Sequence, residues 1–380
     1  MRSVTRWETF TSSRHPVLRL GSVNGPLDEV LFQVVGAVRL TDGRVVVGNG
    51  GTRQLLYFDR QGKLQKVAGG RGDGPGEFQR LSWIGRAGGD SVAAFDYRAR
   101  RVTIFGADGL PGRVFPLQPF PAVRNGEPPV VGAPRMLGRF GSGHFLVAAR
   151  PSASTGSDYE GVPEDTVHYF VYDSSGAPTT VHVAFPGSEQ WVRTSEGQVT
   201  MMAVPFGRTT HAAIGPESFW IGGSDSWRIY GYTMLGELRS IVLRNMPERS
   251  VTPADVQRYK ARRLQEAAEA PEWQRELRRH LEVVPIASVM PTFSSFLVDD
   301  LGYLWIEDYS VDTGSRDQTS VWHVFDRTGR PVASAQLPRG IVLQIGRDFL
   351  VIHRRDELAV EHVEVYGLDR AQGADSQTTI

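Results

Sequence analysis

The chain contains no cysteine, which excludes disulfide scaffolds, thiolate metal centres and cysteine nucleophiles. It has no surplus of either charge. Its 42 basic and 42 acidic residues give a formal net charge of zero, so no general field draws it to nucleic acid or to an anionic membrane. Lysine is scarce, with Lys63, Lys66 and Lys260 the only three. No run approaches the roughly 18 apolar residues of a membrane helix. The stretch from Met1 to Gly21 has no apolar segment of the kind a signal peptide carries. What is plentiful is glycine, 42 residues, and proline, 23, too many for a helical protein, beside a hydrophobic content of 40% that suffices for a large core.

The glycines punctuate a repeat. A short apolar run, a Gly/Asp turn, a second run and an aromatic-rich third run ending in a further Gly turn recur along the chain. In the first copy Val34–Leu40 and Arg44–Gly48 flank Thr41-Asp42-Gly43, and Gln54–Asp59 and Lys63–Ala68 flank Arg60-Gln61-Gly62. The second copy turns at Ala107-Asp108-Gly109, the third at Ser174-Ser175-Gly176, the fourth at Met234-Leu235-Gly236 and the fifth at Arg327-Thr328-Gly329. These outer turn glycines are spaced 47, 67, 60 and 93 residues apart. A propeller blade takes roughly 40–50 residues, so the longer steps carry insertions. A sixth copy, Ile341–Ile345, Phe349–His353 and Ala359–Tyr366, lacks its outer strand, which either Pro16–Leu20 or Arg6–Phe10 can supply. The fold class is therefore all-β: a six-bladed β-propeller of four-stranded antiparallel blades, its ring closed by the N-terminal strand. Residues 1–370 are expected to form this one domain and 371–380 a polar tail.

The segment from Gly69 to Phe78, GGRGDGPGEF, followed by Gly89-Asp90-Ser91-Val92, Asp96, Arg101–Phe105 and Asp108-Gly109, resembles an NHL-type repeat, and the chain as a whole resembles bacterial six-bladed propellers related to NHL repeats. The resemblance implies fold more than activity, since such propellers include scaffolds, sensors, RNA binders, lyases and lactonases. It also implies an extracytoplasmic location. In physical terms the glycines permit positive φ, Phe78 is placed to plug between neighbouring sheets, and Asp96 is expected to tie to Arg101.

Turns within the A–B and C–D strand pairs are minimal, whereas all long excursions are of the B–C or D–A kind: Gln118–Pro134, Arg150–Asp165, Gly187–Arg208, Arg244–Pro291 and Asp308–Ser320. In a propeller these share one face, and long loops on a rigid scaffold are where binding is usually found. The largest excursion predicts a helical insertion over residues 252–285, with Thr252-Pro253 as its start. Val256, Tyr259 and Leu264 form one stripe, Trp273, Leu277 and Leu281 another, both facing the propeller.

No G-x-S-x-G, H-E-x-x-H or phosphate-binding Gly-Lys loop is present. His168, His323 and His362 fall in third strands, as half-exposed sheet histidines. Polar residues at the ends of second strands are the candidate ligand contacts: Asn49, Asp96, Arg150, Asp225, Glu307, Asp308, Tyr309, Arg354 and its neighbour Arg355. Their mixed charge suits a polar ligand better than a carboxylate cage for a cation. The leading expectation is a non-catalytic binding module, with no cofactor, that engages a protein or small polar ligand on the looped face under the helices. The alternative is a metal-dependent hydrolase or lyase with its site at the axial mouth. Nucleic-acid binding would require arginines clustered on the looped face.

Overall fold

Apolar side chains at every second position, in runs too short for a helix and closed by Asp-x-x-Gly turns, make each repeat an antiparallel sheet. At Asp173 the carboxylate accepts from the backbone N–H of Ser175 (2.7 Å) and Ala177 (3.1 Å), while Gly176 takes a φ of +86°; Asp326 and Gly329 (φ +83°) repeat the device. The structure, a computed structural model, describes residues 8–22, 29–123, 130–151, 158–195, 197–268, 270–311 and 319–370.

Six four-stranded blades result, with strands A to D in order across each. Blade 1 comprises Val34–Arg39, Val45–Asn49, Gln54–Phe58 and Leu64–Gly69, and blade 2 Leu81–Arg86, Val92–Asp96, Arg101–Phe105 and Pro111–Pro116. Blade 3 is built from Gly132–Arg139, Phe145–Pro151, Thr166–Tyr172 and Pro178–Pro186, and blade 4 from Thr210–Ile214, Ser218–Gly223, Arg228–Thr233 and Leu238–Leu243. Phe293–Val298, Leu304–Asp308, Thr319–Phe325 and Pro331–Pro338 form blade 5. Blade 6 takes Ile341–Ile345, Phe349–Arg355 and Glu361–Asp369 from the C-terminal region and its fourth strand, Leu18–Leu20, from the N-terminal one.

The core is divided among the blade junctions. Six apolar clusters each draw on two adjacent blades in cyclic order, for example Val46, Tyr57, Phe78 and Phe105 between blades 1 and 2, and Val45, Phe58, Val351 and Val363 between blades 6 and 1. Phe78 is fully buried with its ring 6.0 Å from that of Phe105, so the glycine-rich segment does deliver a plug between sheets. Both proposed closing segments are used, in different ways. Glu8–Ser12 runs parallel to the outer strand of blade 5 (Glu8 opposite Ala333, Thr11 opposite Gln336), then crosses to pair antiparallel with blade 6 (Ser12 opposite Leu368). Leu18–Leu20 continues along blade 6. Phe10 of the crossing strand is buried 5.7 Å from Trp305, a burial that contributes about 2 kcal/mol to closure.

On the looped face the structure corrects the expectation of plain loops. Tyr159–Gly161 from the blade 3 B–C excursion pairs with Gln190–Ser195, which pairs with Gln198–Ala203, giving a three-stranded antiparallel sheet. Helices α1 (Pro253–Glu266) and α2 (Pro271–Val283) stand on an antiparallel stem, where Val251 N–H donates to Ser288 O and Met290 N–H to Arg249 O. Leu277 and Leu281 are buried as expected, but against Ala267, Tyr259 and Met202 of the added sheet rather than against a blade, and Trp273 is 46% exposed. Val284 joins Trp191 and Val204 in a second small core. Sheet and helices thus form one cap. Residues 124–129, 152–157 and 312–318 of the predicted excursions, and the tail at 371–380, lie outside the described residues.

Candidate functional site

The candidate residues separate into three groups once folded. Asn49 and Asp96 are buried latches. Asn49 Oδ1 accepts from Phe32 N–H (2.8 Å) and its Nδ2 donates to Val30 O (2.9 Å). Asp96 accepts from four backbone N–H groups, those of Gln79, Arg80, Arg98 and Ala99, at 2.7 to 3.1 Å. Ser224 of blade 4 does the same for Thr209 N–H (2.9 Å). A polar residue ending or just following strand B therefore holds the backbone that leads into strand A, and these carboxylate and amide groups face the sheet rather than a ligand. Arg101, the expected partner of Asp96, instead donates to the carbonyls of Asp73, Gly74 and Glu77, bracing the glycine-rich loop.

The second group lies between blades 4, 5 and 6. Neighbours along a strand face opposite sides, and this divides Glu307 from Asp308. Glu307 turns towards Ser295, whose hydroxyl donates to it at 2.8 Å, and burial pushes its carboxyl above the usual range. Asp308 turns towards His323 of its own blade, whose Nε2 lies 3.0 Å from both Asp308 Oδ2 and Nη1 of Arg244, the residue that follows the outer strand of blade 4. Arg244 also stacks over Trp227, which packs on His323, and Oδ1 of Asp308 is buried without a hydrogen-bond partner. Tyr309 lies beneath α1, in the field of Arg262, Tyr259, Arg249 and Asp255, with its hydroxyl pKa raised by burial. Glu307-Asp308-Tyr309 is therefore three environments rather than one site. His323 and His362 are buried and hydrogen-bonded, not half-exposed: His362 engages Gly21 O (2.9 Å) and Asp356 (3.0 Å).

The third group surrounds two cavities. A cleft of about 370 Å³ separates the cap from blade 4, lined by Val162, Glu189, Phe206, Arg208, Asp225 and the returning segment 285–291. Arg208 donates to Gly187 O (3.0 Å) and lies 3.6 Å from Asp225, which is itself half exposed. Arg150 pairs with Asp165 and reaches Ser188 O, joining the two blade 3 excursions at the cap's base. A larger cleft of about 1000 Å³ opens at the seam between blades 5 and 6, and it is there that Arg354 and Arg355 lie. Arg354 Nη1 is 3.5 Å from buried Glu364, which accepts from Tyr366 Oη at 2.7 Å, and Arg355 donates to Glu361 at 2.7 Å. Arg150, Arg208, Arg244, Arg354 and Arg355 each have a carboxylate within 4.0 Å, a pattern unlike a phosphate-binding surface. Among the described residues no three His, Asp or Glu side chains are grouped to hold a metal ion.

Glu189, Phe206, Arg208 and the 285–291 segment escaped the sequence reading. They come from two excursions, residues 187–208 and 244–291, and nothing local in the sequence joins these.

The chain is a six-bladed β-propeller, and residues 27–110, which take in blade 1 and the first three strands of blade 2, match a family described as "6-bladed beta-propeller". Among solved structures it is similar to a protein of Bacteroides fragilis, with 12% identity, 96% of this chain and 99% of that one covered, and a TM-score of 0.47. It is also similar to a DUF4221-family protein of Bacteroides vulgatus (9% identity, 96% and 100% covered, TM-score 0.45). Virginiamycin B lyase of Staphylococcus aureus is a third such structure (11% identity, 94% and 99% covered, TM-score 0.40). No curated protein matches the sequence. At these identities and scores the likenesses transfer no activity.

Proposed function

We propose that the protein is a binding propeller whose looped face takes a small polar ligand in the cleft between the cap and blade 4. The observation that supports this reading most is the convergence of three separate excursions into a cap with its own small cores, leaving beneath it a concave space of about 370 Å³. That volume suits a small molecule, and its lining pairs apolar walls (Phe206, Ile286, Pro291) with few charges (Glu189, Arg208, Asp225), the usual composition of a ligand site. Asp225 is the candidate that remains in it. Arg150 acts as a tether for the cap, and Asn49 and Asp96 act as latches. The alternative, a metal-dependent hydrolase or lyase at the axial mouth, has no donor set among the described residues to support it.

The test is a thermal-shift panel of polar metabolites and short peptides on the wild type and on Ile286→Arg, which fills the cleft from an exposed position. The expected result is at least one compound that stabilises the wild type and not the variant. Compounds that stabilise both equally would place the binding site elsewhere.

A further inference from the structure

The cleft between the cap and blade 4 carries an uneven set of charges. Among the described residues Glu189, Arg208 and Asp225 are the charged ones that line it, with no lysine or histidine, so two carboxylates stand against one guanidinium and the formal net charge is −1. The guanidinium is already engaged. Its Nε donates to Gly187 O at 3.0 Å, its Nη1 lies 3.6 Å from Asp225 Oδ2, and the backbone N–H of the same residue donates to Glu189 at 3.0 Å. An anion entering the cleft would meet a carboxylate on either side of Arg208. A cation would meet Asp225, whose side chain is 52% exposed and whose ion pair with Arg208 is longer than a hydrogen bond.

The hydrogen-bonding groups of the facing wall, residues 285–291, have the same bias. Pro285 and Pro291 have no N–H, and the N–H groups of Ala287 and Met290 are given to Pro205 O (3.1 Å) and Arg249 O (2.8 Å). Every residue there keeps a carbonyl, that of Ser288 accepting from Val251 N–H at 2.9 Å. The wall thus has more acceptors than donors to offer, and an ammonium group, which donates and cannot accept, is its complement. Asp225 Oδ2 faces Arg208, which leaves Oδ1 for a ligand, and a single oxygen suits a compact ammonium better than the two-pronged fork of a guanidinium. Val162, Phe206 and Ile286 supply apolar surface, with the ring of Phe206 backed by that of Tyr259 at 5.4 Å.

We propose that the ligand of this cleft is a small organic cation, a primary amine on an apolar body, with Asp225 as its counter-charge. This rests on the cleft reading above and adds the class of ligand.

Saturation-transfer NMR titrations of the full chain with phenethylammonium, 2-phenylethanol and 3-phenylpropanoate, probes of similar size that differ in charge, test it. The ammonium compound is expected to bind about fivefold more tightly than the other two, and Asp225→Asn to remove that advantage. Its binding should weaken as salt is raised, and should be lost in Ile286→Trp, which fills the cleft without adding charge. Equal affinity for the three probes, lost in Ile286→Trp, would keep the cleft as the site and overturn the cation. Ammonium binding that is unchanged in Ile286→Trp would place the site elsewhere and overturn both readings. A wild type that ignores the ammonium compound or prefers 3-phenylpropanoate would overturn the proposal, as would a preference for the ammonium compound that survives Asp225→Asn.

Discussion

At the scale of single residues, Asp96 shows how much of the polar chemistry in this protein is spent on architecture. One buried carboxylate accepts four backbone N–H groups and so fixes both the approach to strand A of blade 2 and the turn after strand B. Asp96→Ala leaves those groups unpaired and is expected to cost about 3 kcal/mol in urea denaturation, with Asp96→Asn, which keeps one acceptor oxygen, costing less. A loss no larger than that of an ordinary surface substitution would contradict the latch. His211 makes a second test. It lies 5.8 Å from the ring of Phe293, its Nε2 has no partner, and burial, aided by Arg135, holds its pKa down to about 4. The native state therefore keeps it neutral while the unfolded chain protonates near the ordinary value of 6.5, so stability falls as pH drops from about 6.5 towards 4. Between pH 7 and pH 5 this one group accounts for about 2 kcal/mol, and His211→Phe should flatten that part of the pH profile. An unchanged profile would show that the ring is not buried neutral. The sequence shows polar residues at the ends of second strands but not which way they face. Asn49 and Asp96 therefore read as ligand contacts, when backbone groups some sixteen or more residues earlier already occupy them.

The elements of the cap show where local signals reach and where they stop. The start of α1 was legible because its capping is contained within four residues: Thr252 Oγ1 accepts from Asp255 N–H (3.2 Å), and Asp255 accepts from Thr252 N–H (3.0 Å). These bonds, led by the Thr252 hydroxyl, lower the Asp255 pKa to about 2. The added sheet was not legible, because Tyr159–Gly161 finds its partner more than thirty residues away and carries no turn signal linking the two. Trp273 was misplaced for a related reason. Its spacing fits the stripe of Leu277 and Leu281, but it is 46% exposed and outside the small core those two form with Ala267, Tyr259 and Met202. Since the helices rest on the cap and on an antiparallel stem, replacing residues 252–283 with a short Gly-Ser turn should leave the ring folded. Its main thermal transition should persist while the compounds that depend on the cleft lose their effect. Failure of the shortened chain to fold would show that the helices are part of the ring's own core.

At the scale of the whole molecule, the architecture was readable from the spacing of outer turn glycines because a blade's turns recur with the blade. The missing sixth outer strand identified the closing segment by elimination. The sequence could not show that closure takes two steps, first along blade 5 and then along blade 6, or that the crossing leaves a cavity of about 1000 Å³ at its seam. Two of the ring's concave places take in the candidate residues, a capped one over blade 4 and an open one between blades 5 and 6, and the account rests on the first. Hydrogen–deuterium exchange of the full chain, with and without a compound that stabilises it, decides between them. The account predicts slowed exchange in residues 204–208, 224–226 and 285–291. Slowing confined to residues 9–19 and 354–366 would place the ligand at the seam and contradict it.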